Sequence, residues 1–197
     1  MLLLDLCCGK RGVSKVFERK GWDVIGVDIN PAFDPDITAD INNWQYEGRK
    51  PDCIWGSPDC TQYCKASLPM SWASNRKNPP NIDMRLLLNV YRTIREQNPR
   101  YWVIENVQGA RGYFNLVLGH RKKKVGSRYL WGEFPPFDTR DGAYGKWRLA
   151  PSEDRPAIRS LIPPGIVLAL ENAIRCEMGY YSPLPSECPD SIIGDLI

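Results

Sequence analysis

The sequence predicts an α/β fold, a mostly parallel, doubly wound sheet in a single domain spanning residues 1–197. Three observations lead there. Residues 2–6 form a short apolar run that gives way to Cys7-Cys8-Gly9-Lys10-Arg11-Gly12, after which Val13, Val16 and Phe17 recur at helical spacing as far as Gly21. Residues 24–27 form a second apolar run, ending on Asp28. Two more short runs, 54–56 and 101–104, are separated by a strongly amphipathic helical stretch. Strands alternating with helices imply parallel pairing, with helices covering the faces of the sheet.

The totals agree with one domain. A chain of 197 residues with 43% hydrophobic content can bury one sizeable core. The net charge of +3 is too small to imply nucleic acid by itself, so only a local cluster of Lys and Arg would argue for it. Seven cysteines, an odd number, with Cys7 and Cys8 read as part of a buried strand, point to a reducing compartment. No charged leader precedes an apolar segment and no apolar run reaches the ~18 residues of a membrane span. The expectation is a soluble, intracellular (cytoplasmic) protein with no membrane association. A first strand beginning almost at Met1 is expected to leave no room for a preceding domain.

Taken in order, the first strand, glycine turn and helix are followed by the strand ending at Asp28. Asp40, in Thr-Ala-Asp-Ile, is placed at the end of a third short strand. The run from Ile54 breaks at Gly56, and residues 65–82, rich in Ser, Asn and Pro, read as a long mobile loop carrying Met70, Trp72, Arg76 and Lys77. Asp83 caps a helix with Met84, Leu87, Leu88, Tyr91 and Ile94 on its core face, stopped by Asn98-Pro99. The strand 101–104 delivers Glu105-Asn106-Val107, and residues 132–161 read as a minimal irregular lobe. Ile162-Pro163-Pro164-Gly165 opens a last helix with Ile166, Leu170 and Ile174 on one face, closed by Gly179.

Chemistry enters at the turns. In Gly56-Ser57-Pro58-Asp59-Cys60, Pro58 fixes its own backbone angle and bars a helix at Ser57, which presents Cys60 on a stiff turn beyond the sheet edge. Ligands of open α/β sheets bind there. A thiol of ordinary pKa ~8.5 needs a positive environment or a base to act as nucleophile, and a buried inert cysteine is the rival reading. A turn bearing Gly9 and Gly12, followed about twenty residues on by Asp28 at a strand end, marks a site for a ribose-containing cofactor. The rival is an ordinary strand-to-helix turn. Arg121, Lys122, Lys123, Lys124 and Arg128 put five cations into eight residues, either a solvated loop or the best phosphate contact in the chain. One histidine and no second Cys pair at zinc-finger spacing leave no metal site expected.

Together, Asp5-Leu-Cys-Cys-Gly-Lys-Arg-Gly12, Val27-Asp28, Asp40, Gly56-Ser-Pro-Asp-Cys60, Glu105-Asn-Val107 and the Ile162-Pro-Pro-Gly helix resemble, in order and spacing, the motifs of the DNA cytosine-5 methyltransferases. The resemblance spans most of the chain. It implies a Rossmann-like class I S-adenosylmethionine-dependent methyltransferase that acts on carbon 5 of cytosine in DNA. Cys60 would add to carbon 6 of the base, Glu105 would hydrogen-bond the ring nitrogen, and Arg128, with Lys124 in reserve, would contact the base carbonyl. S-adenosyl-L-methionine would lie on Cys7, Cys8, Gly9, Lys10 and Gly12, with Asp28 on its ribose, Asp40 on the adenine amino group, Ile29 and Ile41 around the adenine and Pro58 lining the pocket. Met70 or Trp72 would serve as a wedge beside the flipped base. Arg76, Lys77, Arg121, Lys122, Lys123 and Lys124 would contact nucleic acid.

The chain also departs from that pattern. Lys10-Arg11 stands where the family has a small pair, Asp59 and Thr61 flank the nucleophile in place of Pro and Gln, and Pro163-Pro164-Gly165 replaces Gly-Asn-Ser. Only residues 132–161 stand where the family inserts a target-recognition domain. The expectation is therefore a compact enzyme of low or very short sequence specificity, of the kind a virus or mobile element encodes. Its binding should be salt-sensitive, and specificity could come from a partner or an oligomer. Two rivals remain: a cytosine C5-methyltransferase of RNA or of a free nucleotide, and a catalytically weak protein of this fold that binds nucleic acid or a partner.

Overall fold

In the computed structural model, the described residues are 1–63, 82–120, 122–139 and 162–180. Seven strands form one sheet: β1 (Leu2–Leu6), β2 (Asp23–Asp28), β3 (Ile37–Thr38), β4 (Cys53–Gly56), β5 (Tyr101–Val107), β6 (Lys123–Val125) and β7 (Arg128–Glu133). Among the described residues four α-helices accompany them: α1 (Gly12–Arg19), α2 (Arg85–Gln97), α3 (Arg111–Leu118) and α4 (Pro164–Glu177). The strand order is β3-β2-β1-β4-β5-β7-β6. β1 to β5 run parallel, while β7 is antiparallel to β5 and to β6. This is a mostly parallel, doubly wound, Rossmann-like sheet.

The parallel strands read as unbroken apolar runs because both faces are covered. On one face, Leu3, Trp55, Val103 and Leu130 pack against Phe17 and Val13 of α1 and Ile166, Leu170 and Ile174 of α4. On the other, Leu4, Leu6, Ile54 and Ile104 pack against Leu87, Val90 and Ile94 of α2 and Phe114 of α3. By strand alternation, Asp5 and Glu105 belong to the first face, with Leu3 and Val103. Gly56 is small for a reason: a β-carbon there would lie 2.5 Å from Cγ1 of Val90, so glycine lets α2 settle on β4.

Several local expectations need correction. Cys7 and Cys8 lie beyond β1 rather than within it, in the turn before α1. The buried face of α2 uses Leu87, Val90, Thr93 and Ile94, while Leu88 is 47% exposed. Met84, not Asp83, stands at the N-cap; Asp83 precedes it, its carboxylate accepting from the Arg85 N–H at 2.9 Å. Lys123, Lys124 and Val125 form edge strand β6 instead of a loop, turned into β7 through Gly126 at positive φ. An edge strand of lysines is the usual protection against further strand pairing. Gly132 and Glu133, placed in the irregular lobe, belong to β7, and residues 140–161 lie outside the described part.

Candidate functional site at the carboxyl edge of the sheet

Strand order reverses direction between β1 and β4, the kind of switch point beyond whose carboxyl ends open α/β sheets bind ligands. The two turns flanking it are those after β1 and after β4. The first, residues 7–12, is tightly wound, with positive φ at Cys7 (58°), Gly9 (51°) and Arg11 (61°). Left-handed backbone at Cys7 and Arg11 costs on the order of 1 kcal/mol each, so the surroundings must impose it. They do so at two points. The Cys8 N–H donates to the Val27 carbonyl at 3.1 Å, and the Gly9 N–H donates to Oδ2 of Asp28 at 2.9 Å.

Asp28 thus ties the turn to the end of β2, its Oδ1 accepting from the Asn30 N–H at 2.9 Å. Each carboxylate oxygen keeps a lone pair for a hydroxyl donor. Next to it, Ile29 is 65% exposed, an apolar side chain on the rim. Ile41 is instead buried with Leu6 and Val27, so of that pair only Ile29 faces solvent. Asp40 is half-buried and accepts from the Asn42 N–H at 2.9 Å and the Asn43 amide at 3.3 Å. Of the two cations in the turn, Lys10 is exposed. Arg11 is directed to Glu18 at 2.5 Å and Asp36 at 2.6 Å, so its charge is matched on the α1 and β2 side. Asp36 also accepts from the Gly26 N–H at 2.7 Å.

Under this turn lies Asp5, 1% exposed. Its Oδ2 accepts from both the hydroxyl (2.7 Å) and the N–H (3.2 Å) of Ser14 in the first turn of α1, while Oδ1 is buried without a hydrogen bond. Burial pushes its carboxyl up to about 7, against the opposing pull of Ser14. A carboxylate interrupting the apolar run 2–6 was the signal in the sequence. Burial likewise pushes the Cys7, Cys8 and Cys53 thiols up, which leaves them poor nucleophiles.

The second turn carries Cys60, half-buried, just before a 3-10 turn at Thr61–Tyr63. The Cys60 carbonyl accepts from the Tyr63 N–H at 3.0 Å. Asp59, the unexpected anion, is exposed and caps this 3-10 turn, accepting from the Thr61 N–H at 3.2 Å and from the Thr61 hydroxyl. Pro58 is buried, and its carbonyl accepts from the Asn106 side-chain amide at 2.8 Å.

β5 lies beside β4 and runs past it, the ladder ending at the Gly56 and Ile104 pair. Glu105 is the next residue, 4% exposed, and Nη1 of Arg128 on β7 reaches its Oε1 at 3.0 Å. Burial raises the Glu105 pKa above the ordinary carboxylate value, and the Arg128 guanidinium opposes that rise. Both side chains are nearly inaccessible, at 5% and 10%, so the pair is screened little by solvent.

The basic run is less available than its composition suggested. Lys123 is folded back on the Phe137 carbonyl and ring, 3.7 Å from Asp138. Lys122 and Lys124 are exposed, over the rings of Phe134 (4.8 Å) and Tyr129 (5.7 Å). Cys64, Met70, Trp72, Arg76, Lys77 and Arg121 lie outside the described residues. Among the described residues, no three His, Cys, Asp or Glu side chains are placed to hold a metal ion, and no helix is long and apolar enough to cross a membrane. A groove of about 500 Å³ lined by Lys50, Pro51, Asp52, Asn98, Pro99 and Arg100 lies at the opposite rim. It gathers no buried carboxyl group, whereas the carboxyl edge gathers three: Asp5, Asp28 and Glu105.

No family model and no curated protein matches the chain. Solved structures similar to it include a DNA modification methyltransferase encoded within an E. coli prophage, 22% identical over 67% of this chain and 46% of that one, with a TM-score of 0.47. The Entamoeba histolytica methyltransferase EhMeth is 18% identical over 70% and 54%, with a TM-score of 0.45. The Dnmt2 methyltransferase of S. pombe is 18% identical over 55% and 35%, with a TM-score of 0.37. The chain thus spans about half the length of the first two.

Proposed function

We propose that the protein is an S-adenosylmethionine-dependent methyltransferase acting on carbon 5 of cytosine in DNA, with Cys60 as nucleophile and Glu105 and Arg128 completing the reacting centre. The observation that carries this reading is the buried pair of Glu105 and Arg128, one residue past the last β4–β5 pairing and beside the turn that bears Cys60. A buried carboxyl with a raised pKa can hold a proton for a ring nitrogen, and a guanidinium beside it is the kind of donor that recognises a carbonyl oxygen.

The residues at the first turn fit the cofactor. An exposed Ile29 suits an adenine face, Asp28 has lone pairs for ribose hydroxyls, and a wound backbone turn can approach the methionine end closely. When bound, the cofactor supplies an electrophilic methyl group on a sulfonium. The chain supplies the rest. The Cys60 sulfur donates its electron pair to carbon 6 and forms the S–C bond, while the ring electrons are drawn toward nitrogen 3, protonated from Glu105. Carbon 5 thereby becomes nucleophilic enough to take the methyl group. Loss of the carbon 5 hydrogen as a proton then returns the electron pair to the ring, the S–C bond breaks to release the Cys60 thiolate, and nitrogen 3 gives its proton back to Glu105.

Only residues 134–163 separate β7 from α4, a stretch too short for a sizeable recognition domain, which favours low or short sequence specificity, dominated by phosphate contacts. Competition among duplex DNA, RNA and dCMP for isotopically labelled methyl groups tests the substrate. Preferential labelling of DNA cytosine supports the reading. Labelling of RNA or dCMP instead moves the activity to the rival substrate, and none at all moves it to a binding protein.

A further inference from the structure

The turn that carries Cys60 is held on both sides by the segment following Glu105. On the near side, the Asn106 amide nitrogen donates to the Pro58 carbonyl at 2.8 Å, and its oxygen accepts from the Val107 N–H at 2.8 Å. Both ends of the amide are used, and reversing it would set an NH2 group against an N–H, so its orientation is determined. Asn106 is 1% exposed, so either bond, once lost, leaves a polar group that water does not rescue. On the far side, Gly109 lies in the 3-10 turn Gln108–Ala110 against the backbone of Tyr63. A β-carbon at Gly109 would overlap the Tyr63 carbonyl oxygen. Tyr63 is itself locked, buried and edge-on to Phe114 with ring centroids 5.4 Å apart.

We propose that Asn106 and Gly109 are positioning residues that set the Cys60 thiol relative to the Glu105 carboxyl, an inference that rests on the proposed role of Cys60. The β4–β5 ladder stops at Gly56 and Ile104, so beyond that pair no ladder bond between the two strands fixes the turn. The Asn106 amide and the Gly109 approach take over that task at Pro58 and Tyr63, one on each side of Cys60. Misplacement of a reacting atom by about 1 Å costs on the order of 100-fold in rate, so the two clamps govern the chemical step rather than cofactor binding.

The test compares wild type with Asn106→Asp, Asn106→Ala and Gly109→Ala in three assays. These are calorimetric binding of S-adenosylmethionine, alkylation of Cys60 by iodoacetamide followed by mass spectrometry, and single-turnover methyl transfer to cytosine-containing DNA. The expected result is cofactor affinity within about 2-fold of wild type, a clear change in Cys60 alkylation rate, and transfer slowed about 100-fold with little change in KM. Asn106→Asp, nearly identical in shape, keeps the test open if Asn106→Ala does not fold. Its carboxyl can donate to the Pro58 carbonyl only when protonated, so its transfer rate relative to wild type should rise as the pH falls. Unchanged alkylation and transfer in folded variants, or loss of cofactor binding in step with transfer, overturns the proposal. If wild type itself transfers no methyl group, the proposed activity fails, and the alkylation rates still decide whether the two residues set the Cys60 turn.

Discussion

Replacing Asp5 with asparagine should make the protein progressively more stable than wild type as the pH rises from about 4 to about 7. The carboxyl lies 1% exposed beneath the turn at residues 7–12, and burial lifts it from 3.8 to about 7 despite two hydrogen bonds from Ser14. Arg11 of the turn opposes that rise, while Asp28 on β2 adds to it. Below the unfolded value the group is neutral in both states and costs nothing extra. Between 3.8 and about 7 the unfolded chain loses its proton while the folded chain keeps it, so stability falls with pH. Three units at 1.36 kcal/mol each amount to about 4 kcal/mol by neutrality, with no further change above it. The substituted asparagine would not titrate, its oxygen can still accept from Ser14, and its amide takes the place of an oxygen already lacking a partner. Urea unfolding of both proteins at intervals across this range measures the difference directly. A wild-type-to-variant difference that stays flat with pH would refute the reasoning.

Two further outcomes follow from the described contacts. Arg128→Ala strands the buried Glu105 carboxylate without the cation that neutralises it, and should destabilise the fold by about 3–5 kcal/mol in chemical denaturation, less at acidic pH where the carboxyl takes up a proton. Arg128→Lys should recover only part of this, because an ammonium does not reproduce the planar guanidinium. If the protein binds DNA through β6, Lys122→Ala with Lys124→Ala should reduce the salt slope of binding by about two, and Lys123→Ala by less, since Lys123 is held by Phe137 and Asp138. Equal effects at all three lysines, in titrations at several salt concentrations, would contradict that ranking.

The parallel half of the fold was legible because its strands are buried on both faces and so appear as continuous apolar runs between glycine turns. β6 was not, since Lys123-Lys124-Val125 has neither alternation nor an apolar run, and its strand state depends on pairing with β7. α3 was missed for a related reason: Gly112 and Asn115 lower its helix propensity, and Phe114 packing against Trp131 supplies what propensity does not. At the candidate site, Gly9, Gly12, Asp28 and Cys60 could be read from the turns and their spacing, while the other residues of the two turns were implied only by the family resemblance. Their partners could not. Nothing local in Lys10-Arg11 announces that Arg11 pairs with Glu18 and Asp36, one on the following helix and one in a distant loop. Asn106 was visible only as a neighbour of Glu105, because its bond to Pro58 spans 48 residues.

The central claim is that Cys60 forms a covalent bond to a cytosine ring, and trapping tests it most directly. DNA containing 5-fluorocytosine, incubated with the protein and S-adenosylmethionine, cannot lose the substituent at carbon 5, so the adduct should persist and be recovered by mass spectrometry on the peptide bearing Cys60. Cys60→Ser should form none. An adduct that survives the loss of Cys60, or that maps to another cysteine, would contradict the account.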